Sequence, residues 1–387
     1  MEIIRKRIYA RAGLLGNPSD GYNGKTIAIS VRNFWSQVVL YEWETVEIVL
    51  AQHGRARFSS VDDLANDVQL HGYYGGIRLV KATIKRFVEY CRAQDIPLHD
   101  RNFSIRYESY IPRQVGLAGS SSIIIATLRC LLAFYAVDMP LEIQPSFALA
   151  VETEELGIAA GLQDRVIQCY ENIVYMDFAQ EQEHQIHGLT GYAYEPLPLN
   201  YAPQLYLAYH TDLSEPTELF HNDIRGRYDR GESIVVDAMQ HFAELTVEGR
   251  DALLNNQPDR LKALIDENYD TRASISRLPG WQAQMIATAR QCGASAKFAG
   301  SGGAIIGTYE DEAMFDALSK ALGAIKSNDL VFIRRPQQTN VPFHIFCFHR
   351  RDIKIGFPPL IGDQTGVAQL LSISGRCSHR EAIDQIF

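Results

Sequence analysis

Hydrophobic positions along the chain recur with two periods. Strand-like alternation runs over residues 3–12, 26–31, 37–41 and 45–50, in short β-branched or aromatic stretches broken by Gly, Asn and Glu. Residues 75–92 change to helical spacing, with Ile77, Val80, Ala82, Ile84, Phe87, Val88 and Cys91 mostly on one stripe. A strand over 103–111 stops at Pro112, which lacks a ladder donor. The pattern then predicts helices over 121–135 and 145–156 and a strand over 172–178. The polar stretch 180–191 and the proline-bearing 194–203 read as a linker. Beyond it come a strand over 204–210, three or four amphipathic helices between 216 and 291, and a glycine-rich segment at 296–309. A further helix and a strand near 330–334 follow, and the patterning weakens after Pro336. There is no internal repeat and no low-complexity tract.

With 387 residues, 46% of them hydrophobic and 21% charged, the chain has the composition of a globular protein long enough for two domains. A net charge of -9 argues against nucleic-acid or anionic-membrane partners, which need clustered Lys and Arg. It leaves room for a small anionic substrate in one basic pocket. No apolar run reaches the ~20 residues of a membrane span, and the N-terminus does not read as a signal peptide. The six cysteines are scattered with no C-x-x-C pair, so reduced thiols in the cytoplasm are the simplest reading. Oligomeric state is not readable from the sequence.

The candidate chemistry starts at residues 112–122, PRQVGLAGSSS, between a strand and a helix. Its glycines permit a tight turn, and the following helix start offers unpaired amides and partial positive charge, a cradle for phosphate. A serine-capped helix after a glycine turn is the plainer reading of the same residues. Gly24-Lys25-Thr26 imitates the end of a Walker A loop, but Ser19 stands where that loop needs its first glycine. The serines do not form a nucleophile elbow, since no G-x-S-x-G occurs there. Downstream, Glu152 lies in a helix and Asp164 follows a glycine-broken segment. Phosphoryl transfer uses one acid near a metal ion and another to orient the attacking hydroxyl. With Glu154 and Glu155 alongside, a solvated helix face is the other reading. In the tail, His344, Cys347 and His349 sit at spacings that fit a strand better than a metal site.

Three segments, in this order, resemble the signatures of the GHMP small-molecule kinases: 11–24 (RAGLLGNPSDGYNG), 112–122, and 297–304 (KFAGSGGA). The resemblance covers roughly residues 8–335. It implies an α+β protein with an N-terminal α+β domain (1–195) and a ferredoxin-like C-terminal domain (196–336); residues 337–387 have no counterpart. It also implies ATP and Mg2+. Carried over, Asp164 is the catalytic aspartate and Arg11 the basic residue near the transferred phosphoryl group. Gly116, Leu117, Ala118, Gly119, Ser120, Ser121 and Ser122 form the phosphate loop. Ser121 and Glu152 match the magnesium-associated pair, with Ser120 open as the serine by one position. Asp20, with Tyr22 and Asn23, would hold sugar hydroxyls, and Gly300, Ser301, Gly302 and Gly303 form the third motif at the substrate. Galactokinases have Glu-His-Thr-Asp where this chain has Asn17-Pro18-Ser19-Asp20, and Gln where it has Arg165; both differences point away from galactose. The implied reaction is transfer of the γ-phosphate of ATP to the anomeric hydroxyl of D-glucuronate, giving glucuronate 1-phosphate. A neutral-sugar kinase of arabinose or galactose type, or a silent sugar or nucleotide sensor, is the alternative. A uronate needs a cation for its carboxylate, and Arg165 is the first choice, ahead of Arg113 and Lys25.

Overall fold

The structure is a computed structural model. It describes residues 2–50, 54–71, 77–198, 203–210, 218–325, 330–334 and 346–348. The expected tail from 337 onward, with His344 and His349, lies outside these apart from the short strand Phe346–Phe348.

A long antiparallel hairpin sets up the first sheet. β1 (Ile3–Leu15) pairs along β2 (Lys25–Trp43), which absorbs two predicted strands into one. The outer half of β1 alternates exposed and covered residues, whereas Ala10 to Leu15 is buried throughout because both faces are covered there. β3 (Val46–Leu50), β4 (Gly54–Phe58), β5 (Asn102–Ser109), β6 (Ile173–Asp177) and β9 (Ala193–Pro196) complete seven strands, in the order β4-β3-β5-β2-β6-β9 with β1 against β2. The residues expected to form a linker instead carry a small hairpin, β7 (His184–Ile186) with β8 (Leu189–Gly191), and the edge strand β9.

Helices α1 (Val61–His71), α2 (Arg78–Ala93) and α3 (Gly119–Tyr135) lie over this sheet. α3 is apolar nearly all round, because it packs on the sheet from one side and against α2 from the other; Ile124, Ile125, Ala126, Leu128 and Leu131 are fully buried. The helix expected over 145–156 is two elements: α4 (Gln144–Ala150), then a π-helical turn at Val151–Glu155. α5 (Gln163–Tyr170) follows.

The second sheet is built on β10 (Leu205–His210), which is buried at every position. With β11 (Lys297–Phe298), β12 (Ala304–Thr308), β13 (Leu330–Arg334) and β14 (Phe346–Phe348) its order is β11-β12-β10-β13-β14. Helices α6 (Glu218–Asp229), α7 (Ser233–Leu254), α8 (Pro258–Ile275), α9 (Gly280–Gln291) and α10 (Glu312–Ala324) complete this part. One apolar cluster runs from Leu14, Ile27 and Ile29 of the first sheet to Leu207 and Ile306 of the second and Leu264 of α8.

Candidate active site

The ends of β1, the 112–119 loop, the start of α5 and the 299–303 loop converge on Arg11. This guanidinium is 6% exposed, so each of its donors needs a partner. Nε donates to Asp164 Oδ1 at 2.5 Å, and Nη1 donates to the carbonyls of Gly116 (2.7 Å) and Ala299 (2.9 Å). One side chain thereby ties the acid at the head of α5 to two glycine-rich loops. Those loops touch directly: a Cβ at Gly116, which has φ +71°, would lie 2.8 Å from the Gly302 carbonyl, and one at Gly303 would lie 2.9 Å from Val115 Cα. Gly300, Ser301, Gly302 and Gly303 are thus packed against the 112–119 loop, and Arg272 holds them from behind by donating to the carbonyls of Gly300 (2.8 Å) and Ser301 (3.0 Å).

α3 begins at Gly119 after Ala118, which takes a left-handed conformation, and no side chain caps it. Its first amides therefore face the loop with the helix dipole behind them, a ready anion site. The three serines that follow diverge. Ser120 Oγ donates to Glu152 Oε1 at 2.6 Å. Ser121, expected beside the metal, is fully buried and turns its hydroxyl back to the Ala118 carbonyl at 3.4 Å. Ser122, expected in the phosphate cradle, hydrogen bonds Gly119 O and Ser36 Oγ, both at 2.6 Å, inside the core. Successive residues on a helix point about 100° apart, so only one of three can face the loop.

Glu152 is 1% exposed; of its acidic neighbours, Glu155 is largely covered and pairs with Lys85, while Glu154 pairs with Arg86 at the surface. Its second oxygen accepts from Arg165 Nη2, whose Nη1 donates to Gly161 O at 2.7 Å and lies 3.6 Å from Asp164 Oδ2. Arg165, expected to receive a substrate carboxylate, is 4% exposed and committed to these internal partners; its position behind Asp164 buries it. Lys25 is likewise paired, with Asp177. Arg113 is exposed in the 112–119 loop.

Asp20 lies in a short turn of 3-10 helix, Ser19–Tyr22, that follows β1. Its Oδ2 accepts from the Gln163 amide at 3.3 Å, so the carboxylate sits one residue from Asp164. Burial first, and then the Asp164 charge, push its pKa up to about 6. The approach depends on Gly161, where a Cβ would overlap Asp20 Oδ2. Tyr22 packs against Tyr228 of α6 with the rings tilted and their centroids 4.7 Å apart. Asn23 is exposed in the left-handed region (φ 56°) and ends the turn. Sequence reading did not find Gly161, Arg225, Arg272 or Lys297 as site residues. Lys297 stands inside the 297–304 motif and Gly161 in the glycine-broken segment before Asp164, whereas Arg225 and Arg272 sit in ordinary amphipathic helices with no local signal.

Two opposed carboxylates, an arginine between glycine loops and an uncapped helix start make a centre for moving a phosphoryl group. Comparison agrees with this class. The model of the GHMP kinase N-terminal domain matches residues 78–172, and that of the GHMP kinase C-terminal domain matches 250–325. Glucuronokinase 1 of Arabidopsis thaliana is 41% identical over 310 residues, covering 78% of this chain and 84% of that protein. A protein named as probable glucuronokinase 2 from the same plant is 40% identical over 315 residues, covering 79% and 84%. Among solved structures, a Lactococcus lactis galactokinase complexed with galactose superposes with a TM-score of 0.68 at 14% identity, covering 86% of this chain and 93% of that one. A Methanococcus jannaschii mevalonate kinase gives 0.65 at 16%, covering 86% and 98%. The chain belongs to the GHMP kinase family.

Proposed function

We propose that this protein is an ATP-dependent sugar 1-kinase whose acceptor is D-glucuronate and whose product is glucuronate 1-phosphate. The observation that carries the reading is the Arg11–Asp164 pair, set between the phosphate loop and the Asp20 turn. The kinship with two glucuronokinase-named proteins over most of the chain supports the choice of sugar.

In this reading the amides of Gly119 and Ser120 hold phosphate oxygens at the start of α3. Asp20 accepts hydrogen bonds from ring hydroxyls. Asp164 orients the anomeric hydroxyl and takes its proton as the new O–P bond forms and ADP leaves. Arg11, held by two carbonyls, keeps a fixed positive charge beside the moving phosphoryl group, so stabilisation needs no reorganisation. The Ser120 hydroxyl and Glu152 carboxylate are hard oxygen donors 2.6 Å apart at the helix start, a set that fits Mg2+. Among the described residues no group of three His, Cys, Asp or Glu gathers as a metal cage. When bound, the ion would neutralise phosphate charge. No described helix is long and apolar enough to cross a membrane. Cys91, Cys130 and Cys169 are free thiols in the core, in keeping with a reducing cytoplasm.

The test is a panel of D-glucuronate, D-galactose and L-arabinose with ATP, following ADP release and the 1-phosphate by phosphorus NMR. Glucuronate should be preferred. Asp164→Asn should lower kcat at least 1,000-fold, of the order expected for a lost base and its positioning, while ATP affinity stays within about twofold. Preference for a neutral sugar would reject the acceptor; near-normal turnover in the variant would reject Asp164.

A further inference from the structure

We infer that Arg225, on α6, is the residue that recognises the carboxylate of the uronate. The inference rests on the sugar-kinase reading above and names the specificity contact within the same site.

The cations deep in this centre are already engaged. Arg11 and Arg165 serve Asp164 and Glu152, while Lys25 is tied to Asp177. Arg272 and Lys297 are buried on backbone carbonyls. Arg225 differs in place and in freedom. Its Nη1 donates to Gly21 O at 2.9 Å, in the very turn that carries Asp20 and Tyr22. Its guanidinium carbon stands 5.4 Å from the Tyr22 ring centroid. Nε pairs with Asp229 at 3.1 Å, but the side chain stays 57% exposed, and among the described residues Nη2 makes no hydrogen bond or ion pair.

The order of groups matches the shape of a hexuronate. Asp164 neighbours Asp20 through the Gln163 amide, Asp20 is followed two residues on by Tyr22, and Arg225 spans the Gly21 carbonyl and the Tyr22 ring. A hexuronate ring carries its reacting C1 hydroxyl and its C6 carboxylate at opposite ends. With the C1 hydroxyl at Asp164 and ring hydroxyls at Asp20, the carboxylate falls toward the far end of this row, where Arg225 offers a planar pair of donors. The exposed Asp229 pairing is weak enough to exchange for a substrate carboxylate.

The experiment measures, by calorimetry and by kinetics, D-glucuronate against its neutral carboxamide, D-glucuronamide, in wild type, Arg225→Gln and Arg113→Gln. Arg225→Gln should weaken glucuronate about 10–100-fold, the worth of a charged hydrogen-bond pair, through KM rather than kcat. Glucuronamide should bind that variant as it binds wild type, and the KM for ATP should not move. Equal losses on both ligands, or a selective loss in Arg113→Gln instead, would overturn the assignment to Arg225 while leaving the kinase reading intact. A wild type that favours the carboxamide or ignores glucuronate would overturn both.

Discussion

At the scale of single residues, the site turns on side chains whose neighbours decide what each can do. Asp20 is the clearest case. Burial and the Asp164 charge hold its pKa at about 6 against an ordinary 3.8, so its carboxylate takes up a proton within the working pH range. In the proposed role of acceptor for sugar hydroxyls it must be ionised. The kcat/KM for the sugar is therefore expected to fall as pH drops through about 6 and to be flat above it, and Asp20→Asn should remove the step. The stability effect has the opposite sense. A raised carboxylate pKa means the fold prefers the protonated form, so this contribution is present below the ordinary pKa and lost as pH rises through about 6. Asp20→Asn should accordingly raise Tm at pH 8 by about 2–4 °C while disabling sugar binding, the signature of a group kept for function. A calorimetric scan showing a lower Tm would contradict it. The serines give a second prediction. Ser120→Ala should weaken Mg2+-dependent nucleotide binding about tenfold, read by calorimetry at varied Mg2+, because Ser120 faces Glu152. Ser121→Ala, lying against the Ala118 carbonyl, should leave it unchanged. The run Ser120-Ser121-Ser122 was legible as a helix start after a glycine loop, but not which hydroxyl faces out. That choice depends on helix phase, which a one-residue error in the start position reverses.

At the scale of elements, the π-helical turn at Val151–Glu155 shows why part of the site was hidden. It is followed by a hydrogen bond from the Ile158 amide back to Glu152 O at 2.8 Å, and it turns Glu152 inward while Glu154 remains outside. An inserted residue of this kind leaves the hydrophobic spacing of a short helix almost unchanged, so residues 145–156 read as one continuous helix. The stretch 180–196 was misread for a different reason. Its polar residues belong to a surface hairpin and an edge strand, where composition cannot separate ladder from loop. The strand–glycine loop–helix order around residue 116 was readable because it needs only local features. The contact of that loop with 299–303 was not, since it joins residues far apart in the chain. The contact predicts that Gly116→Ala will be costly. The substitution meets both the left-handed φ of +71° and the Gly302 carbonyl. A loss of about 2–3 kcal/mol in urea denaturation and a raised KM for ATP are expected together. Gly157→Ala, also at positive φ (+65°) but with open space around it, should show only the smaller backbone cost and leave the KM for ATP unmoved.

At the scale of the whole molecule, the two sheets meet at the site through cations aimed at backbone oxygens. Gly13 donates its amide to Ala299 O at 2.7 Å, Arg11 reaches the same carbonyl, and Arg272 takes the next two in the loop. Lys297 is the deepest of these. It is 1% exposed, on β11, and its ammonium donates to Gly13 O (2.8 Å), Asn17 Oδ1 (2.5 Å) and Phe298 O (2.9 Å). Burial pulls its pKa well down, and the nearby Arg272 and Arg11 charges add to that. Three short donations compensate that cost, and they bridge the end of β1, the turn before Asp20 and the second sheet. Removing the amine would take a donor away from three acceptors in the buried junction. Lys297→Met keeps the stem and its packing but deletes the donors, so it should cost about 2–4 kcal/mol in urea denaturation. Because the Ala299 carbonyl that holds Arg11 sits on the strand end that Lys297 anchors, kcat should fall more than either KM. Lys262→Met, which breaks the surface pair with Glu310, should change stability by less than about 1 kcal/mol and leave kcat untouched. If the two variants proved equally stable, the ammonium would be a tolerated passenger, and the junction would have to be held by the apolar cluster of Leu14, Leu207 and Leu264 alone.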